Sequence, residues 1–494
     1  MQSLKKYKTE IISFLILSVV FFLLRLYNLK NFQIFGDEAI YIHWAQMGMH
    51  NSANRLTSLS DGKQPLFIWM ISLLINVVSN PLAAGRLVSI LAGFLTLFGL
   101  YFLTLELFKN RKIALTAAAM YVFYPFAVLT NRIAIYESMV GLFDVLSLYT
   151  AVLLIRKIEL GRMFVLANVL AGSILTKSTG FFNIYFLPVI LLLANQEKKV
   201  LRFLTFAGAA VIFAHLYYSV TLLGPDDGIT VGAKNAVFLY SFGDLTTRGA
   251  ISQFPKHIIE YSGWLVEYLS ILAVIPLFFA FINRKYRIEL LVLFLWFALK
   301  FAVFAVFGKL VLPRYLFPIS LTLLPIIAFG VFELKNKIKF ARITVISLSL
   351  IILSMFFSDV KILRDLPRAP IPEIDRFQYA NGWPAGGGVR EIVNYLQAQT
   401  AKEKIFVIVE GGYTYGGFPA SAFNVYFQDN PNFEKIEVND DPFVLPKGVL
   451  ELSKTVPVYV VFNRIQNIPR LPMTIVAQYQ KGIGNSYIRL YKLN

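Results

Sequence analysis

Adjacent carboxylates stand at Asp37 and Glu38, in the run Phe35-Gly36-Asp37-Glu38-Ala39-Ile40-Tyr41, shortly after the first long apolar segment. A carboxylate at the membrane boundary, partly desolvated and near cations, can deprotonate a hydroxyl nucleophile or bind a metal ion. Asp37 is also suited to cap a helix beginning at Glu38, and the two roles are compatible. Cations recur at similar boundaries: Lys63 in Gly62-Lys63-Gln64-Pro65, Arg132 in the run Asn131-Arg132 to Tyr136-Glu137, Lys177 in Thr176-Lys177-Ser178, and Lys309 and Arg314 in the run Gly308 to Arg314. Each alone reads as a side chain snorkelling to headgroups. Jointly, in loops otherwise sparing in charge, they are better explained as a site for a lipid phosphate, with Arg25 and Glu137 as supporting charges.

The elements that must position these residues are membrane-spanning. Of 494 residues 57% are hydrophobic and 15% charged, and mean hydropathy is +0.62, which excludes a soluble enzyme with one anchor and excludes disorder. The net charge of +18 does not point to nucleic acid, because the first 358 residues hold 32 Lys and Arg against 16 Asp and Glu, and the remainder 15 against 13. Apolar segments near 9–29, 86–108, 112–131, 139–156, 163–178, 181–195, 201–223, 264–282, 287–307, 314–333 and 342–358 predict about eleven spans. Pro65–Ser79 is too short to cross, and Ser72, Asn76 and Ser79 recur at helical spacing, so 65–80 is expected to lie flat as a juxtamembrane helix.

With 65–80 excluded, every strongly basic loop falls on one side: Lys5/Lys6/Lys8, Lys109/Arg111/Lys112, Arg156/Lys157/Arg162, Lys198/Lys199/Arg202, Arg284/Lys285/Arg287 and Lys335/Lys337/Lys339/Arg342. Cytoplasmic loops collect Lys and Arg, so the N-terminus is expected inside and the candidate site residues outside. Residues 1–358 then form the membrane module, 359–388 a Pro/Gly-rich linker, and 389–494 a small extracytoplasmic α/β domain. A helical pattern at 389–400 precedes the apolar run Ile405–Val409, and strand-like runs follow at Val456–Phe462, Met473–Tyr479 and Tyr487–Tyr491. Asp144, inside a span, is expected to face the bundle interior. Lys300, Glu267 and His215 read as structural or snorkelling. The chain has no Cys, no HExxH and no Walker motif, so neither a zinc hydrolase nor nucleotide-driven transport has support.

Arg25-Leu26-Tyr27-Asn28-Leu29 closing the first span, Asp37-Glu38, Lys63-Gln64-Pro65 opening an amphipathic segment, the Arg132 to Glu137 loop and Thr176-Lys177 together resemble the GT-C glycosyltransferases. The resemblance is to the branch of protein O-mannosyltransferases and aminoarabinose transferases (glycosyltransferase family 39-like), and covers most of residues 9–335. It implies an α-helical polytopic membrane protein with juxtamembrane helices in the first outer loop. It also implies transfer of a sugar from a polyprenyl (dolichyl or undecaprenyl) phosphate to an acceptor outside the cytoplasm, usually with inversion. Carried over by motif, Asp37 resembles the catalytic carboxylate, Glu38 its supporting neighbour, and Lys63 and Arg132 the phosphate-binding cations. Lys177, Lys309 and Arg314 join them by position. Two departures stand out: relatives often carry Asp where this chain has Glu137, and Lys-Pro-Pro where it has Lys63-Gln64-Pro65.

The expected partners are therefore a polyprenyl-phosphate-linked sugar, membrane lipid and an acceptor that is protein, lipid or envelope glycan, with no nucleic acid and with a divalent metal ion left open as cofactor. The multi-pass chain is assigned to the plasma membrane. A flippase of lipid-linked sugar would use the same cations without a base, but its expected inverted halves are not visible in the sequence. A non-catalytic assembly subunit would leave Asp37-Glu38 beside the cations unexplained.

Overall fold

Asparagine side chains fix where two of the buried helices begin. The computed structural model describes residues 2–225, 229–247, 250–338, 340, 342–411, 418–438 and 443–494; Lys339 and parts of the 224–263 loop lie outside this set. Helix α1 is Gln2–Leu26, and α2 (Gly36–His50) and α3 (Leu66–Ile75) follow it. Helix α4 (Pro81–Phe108) starts where Asn80 accepts the Ala83 N–H at 2.9 Å, with Pro81 fitting the first turn. Asn110 does the same for α5 (Arg111–Val122), which leads into α6 (Pro125–Thr130), α7 (Glu137–Arg156) and α8 (Leu160–Thr176).

Among the described residues six helices are long and apolar enough to cross a membrane, or up to eight if two bent pairs each count as one span. The other segments expected to cross include the shorter Arg111–Val122, Leu160–Thr176 and Ser178–Leu193. One bent pair, Pro313–Ser320 with Leu323–Lys335, turns by 56°. Arg314 lies ahead of the bend, on the single turn Pro313–Leu316.

Helix α3 is ten residues long, about 15 Å, well short of a bilayer core. Its polar pattern is used differently from the sequence expectation. Ser72 turns inward and donates to the Ala45 carbonyl of α2 at 3.0 Å, while Leu73 and Val77 are exposed. Asn76 and Ser79 are exposed beside them, so of the three polar positions only Ser72 faces inward. Inside the bundle, Asp144 is buried and paired with Lys300, whose ammonium also donates to Asn183 at 2.7 Å. Two charges from different helices offset each other's burial there.

The C-terminal part contains one five-stranded sheet in the order β2-β1-β3-β5-β4. Strands β1 (Ile405–Glu410), β2 (Phe433–Val438) and β3 (Val458–Phe462) are parallel, and β4 (Met473–Gln480) and β5 (Tyr487–Leu493) add antiparallel. Successive side chains serve opposite faces. Val407, Val409, Tyr459 and Val461 join the large core shared with the helices, whereas Ile408, Val458, Val460 and Phe462 form a separate small core on the far face. Helix Val389–Thr400 buries Val389, Ile392, Val393 and Leu396, the apolar stripe of its sequence. Of residues 359–388, expected as a linker, 359–364 continue the helix Ile343–Arg364, and Ala369, Ile371, Asp375, Tyr379, Ala380 and Ala385 are all buried.

Candidate functional site

Helix α2 begins at Gly36, with Phe35 as its N-cap, so Asp37 lies in its first turn. The capping role considered for Asp37 falls to its neighbour. Glu38 accepts the Phe35 N–H at 3.1 Å, the Ala134 N–H at 2.8 Å and two bonds from Arg86, at 2.8 and 2.9 Å. Arg86 uses its remaining donors on the carbonyls of Leu29, Phe32 and Gln33. This fully buried pair ties α2 and the chain before it to α4 and to the 132–137 loop.

Breaking a buried pair by removing one charge strands the other. Glu38→Gln is therefore expected to lower stability by about 3 kcal/mol, read as a drop in apparent melting temperature in detergent. Replacing both partners with apolar residues should recover part of the loss. Unchanged melting of Glu38→Gln would remove the clamp from this account.

Asp37, freed from capping, is 29% exposed and accepts from Arg314 Nη2 at 2.7 Å. Arg314 is largely buried, and its Nη1 and Nε have no hydrogen-bond partner, with Nε 4.0 Å from Glu137. Lys177, at the end of α8, donates to Glu137 at 2.6 Å, and its ammonium sits 4.4 Å from the centre of the Tyr315 ring. Asp37, Arg314, Glu137 and Lys177 thus form one cluster, built by four separate segments. Next to it, Gln64 donates to Ser178 Oγ at 2.8 Å and its carbonyl accepts from Tyr136 at 3.0 Å. The preceding Lys63 faces Asp61 at 3.9 Å. Lys63 lies 5.9 Å from the centre of the Phe238 ring, and the Phe238 carbonyl accepts the Lys309 N–H at 2.9 Å. Lys63 and the exposed Lys309 therefore share a neighbour.

The structure gives Arg132 and Arg25 different tasks from those expected. Arg132 is buried, and its Nη1 lies 2.7 to 3.1 Å from the carbonyls of Leu24, Arg25 and Tyr27 at the end of α1. Arg25 likewise donates to the Val122 carbonyl at the end of α5. Cations satisfying the terminal carbonyls of helices are favourable in their own right. Both are turned toward backbone rather than toward Asp37.

Several neighbours were not singled out from sequence. Tyr379 lies edge-on to Phe35 with ring centres 4.9 Å apart, and Asp375 accepts from Tyr268 at 2.6 Å. Burial pushes the Asp375 carboxyl up to about 7, against the pull of the Tyr268 hydroxyl and Arg314. Both residues belong to the stretch read as linker, whose Pro and Gly content masked them. Arg86 carried a weak signal: a charge in the first turns of an apolar helix.

Among the described residues no three His, Asp or Glu side chains converge. Asp37 and Glu137 each already face a cation. Two carboxylates already paired with cations do not fit a resident divalent ion.

Residues 62–220 match the sequence model of the family described as dolichyl-phosphate-mannose-protein mannosyltransferase. No curated protein matches the chain. Among solved structures, ArnT from Cupriavidus metallidurans bound to undecaprenyl phosphate is similar, with 13% identity, 98% of each chain covered and a TM-score of 0.63. The same protein in its apo state gives 12% identity, 99% of this chain and 98% of that one, and a TM-score of 0.62. The likeness in fold extends over nearly the whole chain, including the C-terminal sheet. The chain therefore shares the fold of ArnT, and residues 62–220 are similar to the mannosyltransferase family model.

Proposed function

We propose that this GT-C-type membrane protein transfers a sugar from a polyprenyl-phosphate donor to an acceptor on the extracytoplasmic side, with Asp37 as general base. The observation that carries the reading is Arg314: one amino group holds Asp37, while Nη1 makes no hydrogen bond and Nε only faces Glu137 at 4.0 Å, leaving donors for an anion. One guanidinium can thereby orient the base and receive the phosphate. The match of residues 62–220 and the undecaprenyl phosphate held by the similar ArnT support a donor of this class.

In this reading the acceptor oxygen attacks the anomeric carbon while its proton passes to the Asp37 carboxylate. The bond from that carbon to the phosphate oxygen breaks, its electron pair leaves with the phosphate, and the carbon inverts. Negative charge grows on the polyprenyl phosphate, where Arg314 and Lys177, with Lys63 and Lys309 further out, stabilise it. Glu38 acts through Arg86 and the Phe35 N–H, holding the start of α2. Arg132 and Arg25 hold the ends of α1 and α5. The sidedness of the basic loops supports a cytoplasmic N-terminus, placing the site and the C-terminal sheet on the outer face of the plasma membrane. The acceptor is a group presented there by protein, lipid or envelope glycan.

The test is sugar transfer in vesicles containing the purified protein, a panel of polyprenyl-phosphate sugars and a membrane extract as acceptor source. Time-dependent release of free polyprenyl phosphate from one donor, with its sugar appearing on an acceptor, is expected. Donor that crosses the bilayer with its sugar-phosphate bond intact would mark a flippase and overturn the proposal.

A further inference from the structure

The run Gly382-Trp383-Pro384-Ala385-Gly386-Gly387-Gly388 has no role in the site as described so far, yet it lies against the residues that precede Asp37. The Gly36 N–H donates to the Pro384 carbonyl at 3.1 Å, and Phe35 and Ala385 form an antiparallel bridge. The contact admits no side chain at Gly386, where a Cβ would come within 2.0 Å of the Ile34 carbonyl oxygen. The carbonyls on either side of Pro384 are held from the C-terminal sheet. Lys481, fully buried in the turn between β4 and β5, donates to the carbonyls of Trp383, at 2.8 Å, and Ala385. Asn463 adds a second donor to Trp383 at 3.0 Å. Asn463 is fixed in turn, because Glu410 at the end of β1 accepts the N–H groups of Asn463, Arg464 and Ile465 at 2.7 to 3.1 Å.

The carbonyls of 383 and 385 therefore serve the sheet, and that of 384 serves the start of α2. The segment is a tight turn, closed where the Ala385 N–H donates to the Gly382 carbonyl at 3.1 Å. A lysine is an expensive choice for such a position: burial pushes it down to about 7, against the pull of the Glu410 carboxylate. Its ammonium does, however, supply three donors and no acceptor, which suits a site made of carbonyls.

We infer that the C-terminal unit is a positioning part of the active site. Lys481, through the Trp383–Gly386 strap, fixes the backbone of residues 34–36 and so the direction of the Asp37 carboxylate toward Arg314. The inference rests on Asp37 being the base, and a double-mutant cycle separates the two.

Lys481→Met is expected to lower kcat at least tenfold with KM for the polyprenyl-phosphate sugar within twofold of wild type. Lys481→Gln, which keeps an amide donor, should recover part of the rate. In the Asp37→Asn background, Lys481→Met should cost nothing further, because the group it positions has already lost its function. Val460→Ala, in the small core on the far face of the sheet, should lower the melting temperature but leave kcat of the folded protein unchanged. Full kcat in Lys481→Met, losses that multiply in the double variant, or an equal kcat loss in Val460→Ala would overturn the inference while leaving the assignment of the base intact. Conversely, undiminished transfer by Asp37→Asn alone would remove the base and the inference with it. If Lys481→Met does not fold, Asn463→Ala withdraws the other donor to Trp383 and must show the same non-additivity.

Discussion

Asp37→Asn is expected to bind the polyprenyl-phosphate sugar about as tightly as wild type and to transfer it roughly a hundred- to ten-thousandfold more slowly, the scale of positioned base catalysis. The substitution is informative because the start of helix α2 does not depend on the charge. Helix α2 begins one residue earlier, at Gly36, and the carboxylate that reaches back to its N-cap is that of Glu38. The Asn oxygen can still accept from Arg314 Nη2, so the cation need not be displaced. What Asn cannot do is take a proton from the acceptor. The measurement is a pair: donor affinity of the purified protein, and initial rate of sugar transfer. Retained affinity with a collapsed rate is the expected outcome. Undiminished transfer would reject Asp37 as base, and loss of donor binding would recast it as a residue that only orders Arg314.

The contrast between Asp37 and Glu38 also shows where sequence reading reaches its limit. That the pair lies beyond the first span, that α3 is too short to cross and that cations gather at helix ends were all legible, because hydropathy, length and charge are local properties. Which cation faces which partner was not. Arg314 and Asp37 are 277 residues apart, and nothing local to either one marks the other. Arg132 and Lys177 look alike in sequence, each a cation beside a span, yet one faces the carbonyls ending α1 and the other faces Glu137. A helix terminus and a phosphate present the same chemistry to an arginine.

In the C-terminal part, the helix at 389–400 and strands β1, β3, β4 and β5 follow their apolar runs. Strand β2, Phe-Glu-Lys-Ile-Glu-Val, escaped notice because it pairs on one side only and carries three charges, as edge strands commonly do. The packing of residues 365–388 was hidden for a different reason. Pro and Gly there serve close contact with residues 34–36, and composition cannot distinguish a tight fit from a loose connection.

Arg314→Gln should weaken donor binding as well as transfer, with transfer falling by roughly a hundred- to thousandfold, the usual loss when one preplaced donor to a developing anion is removed. Both unpartnered nitrogens disappear in this variant, and so does the charge opposite Asp37. Arg314→Lys is expected to recover only part of the activity, since an ammonium is a point charge and cannot hold Asp37 and a phosphate oxygen along two fixed directions. The prediction differs from that for Asp37 in its split: Asp37→Asn spares affinity, whereas Arg314→Gln lowers it. Titration with polyprenyl phosphate itself, which lacks the sugar, isolates the phosphate contribution. Arg314→Gln should lose affinity for that probe as it does for the complete donor. Wild-type affinity for polyprenyl phosphate in Arg314→Gln would show that the unpartnered nitrogens do not receive the phosphate, and would leave Lys177 and Lys63 as its binding groups.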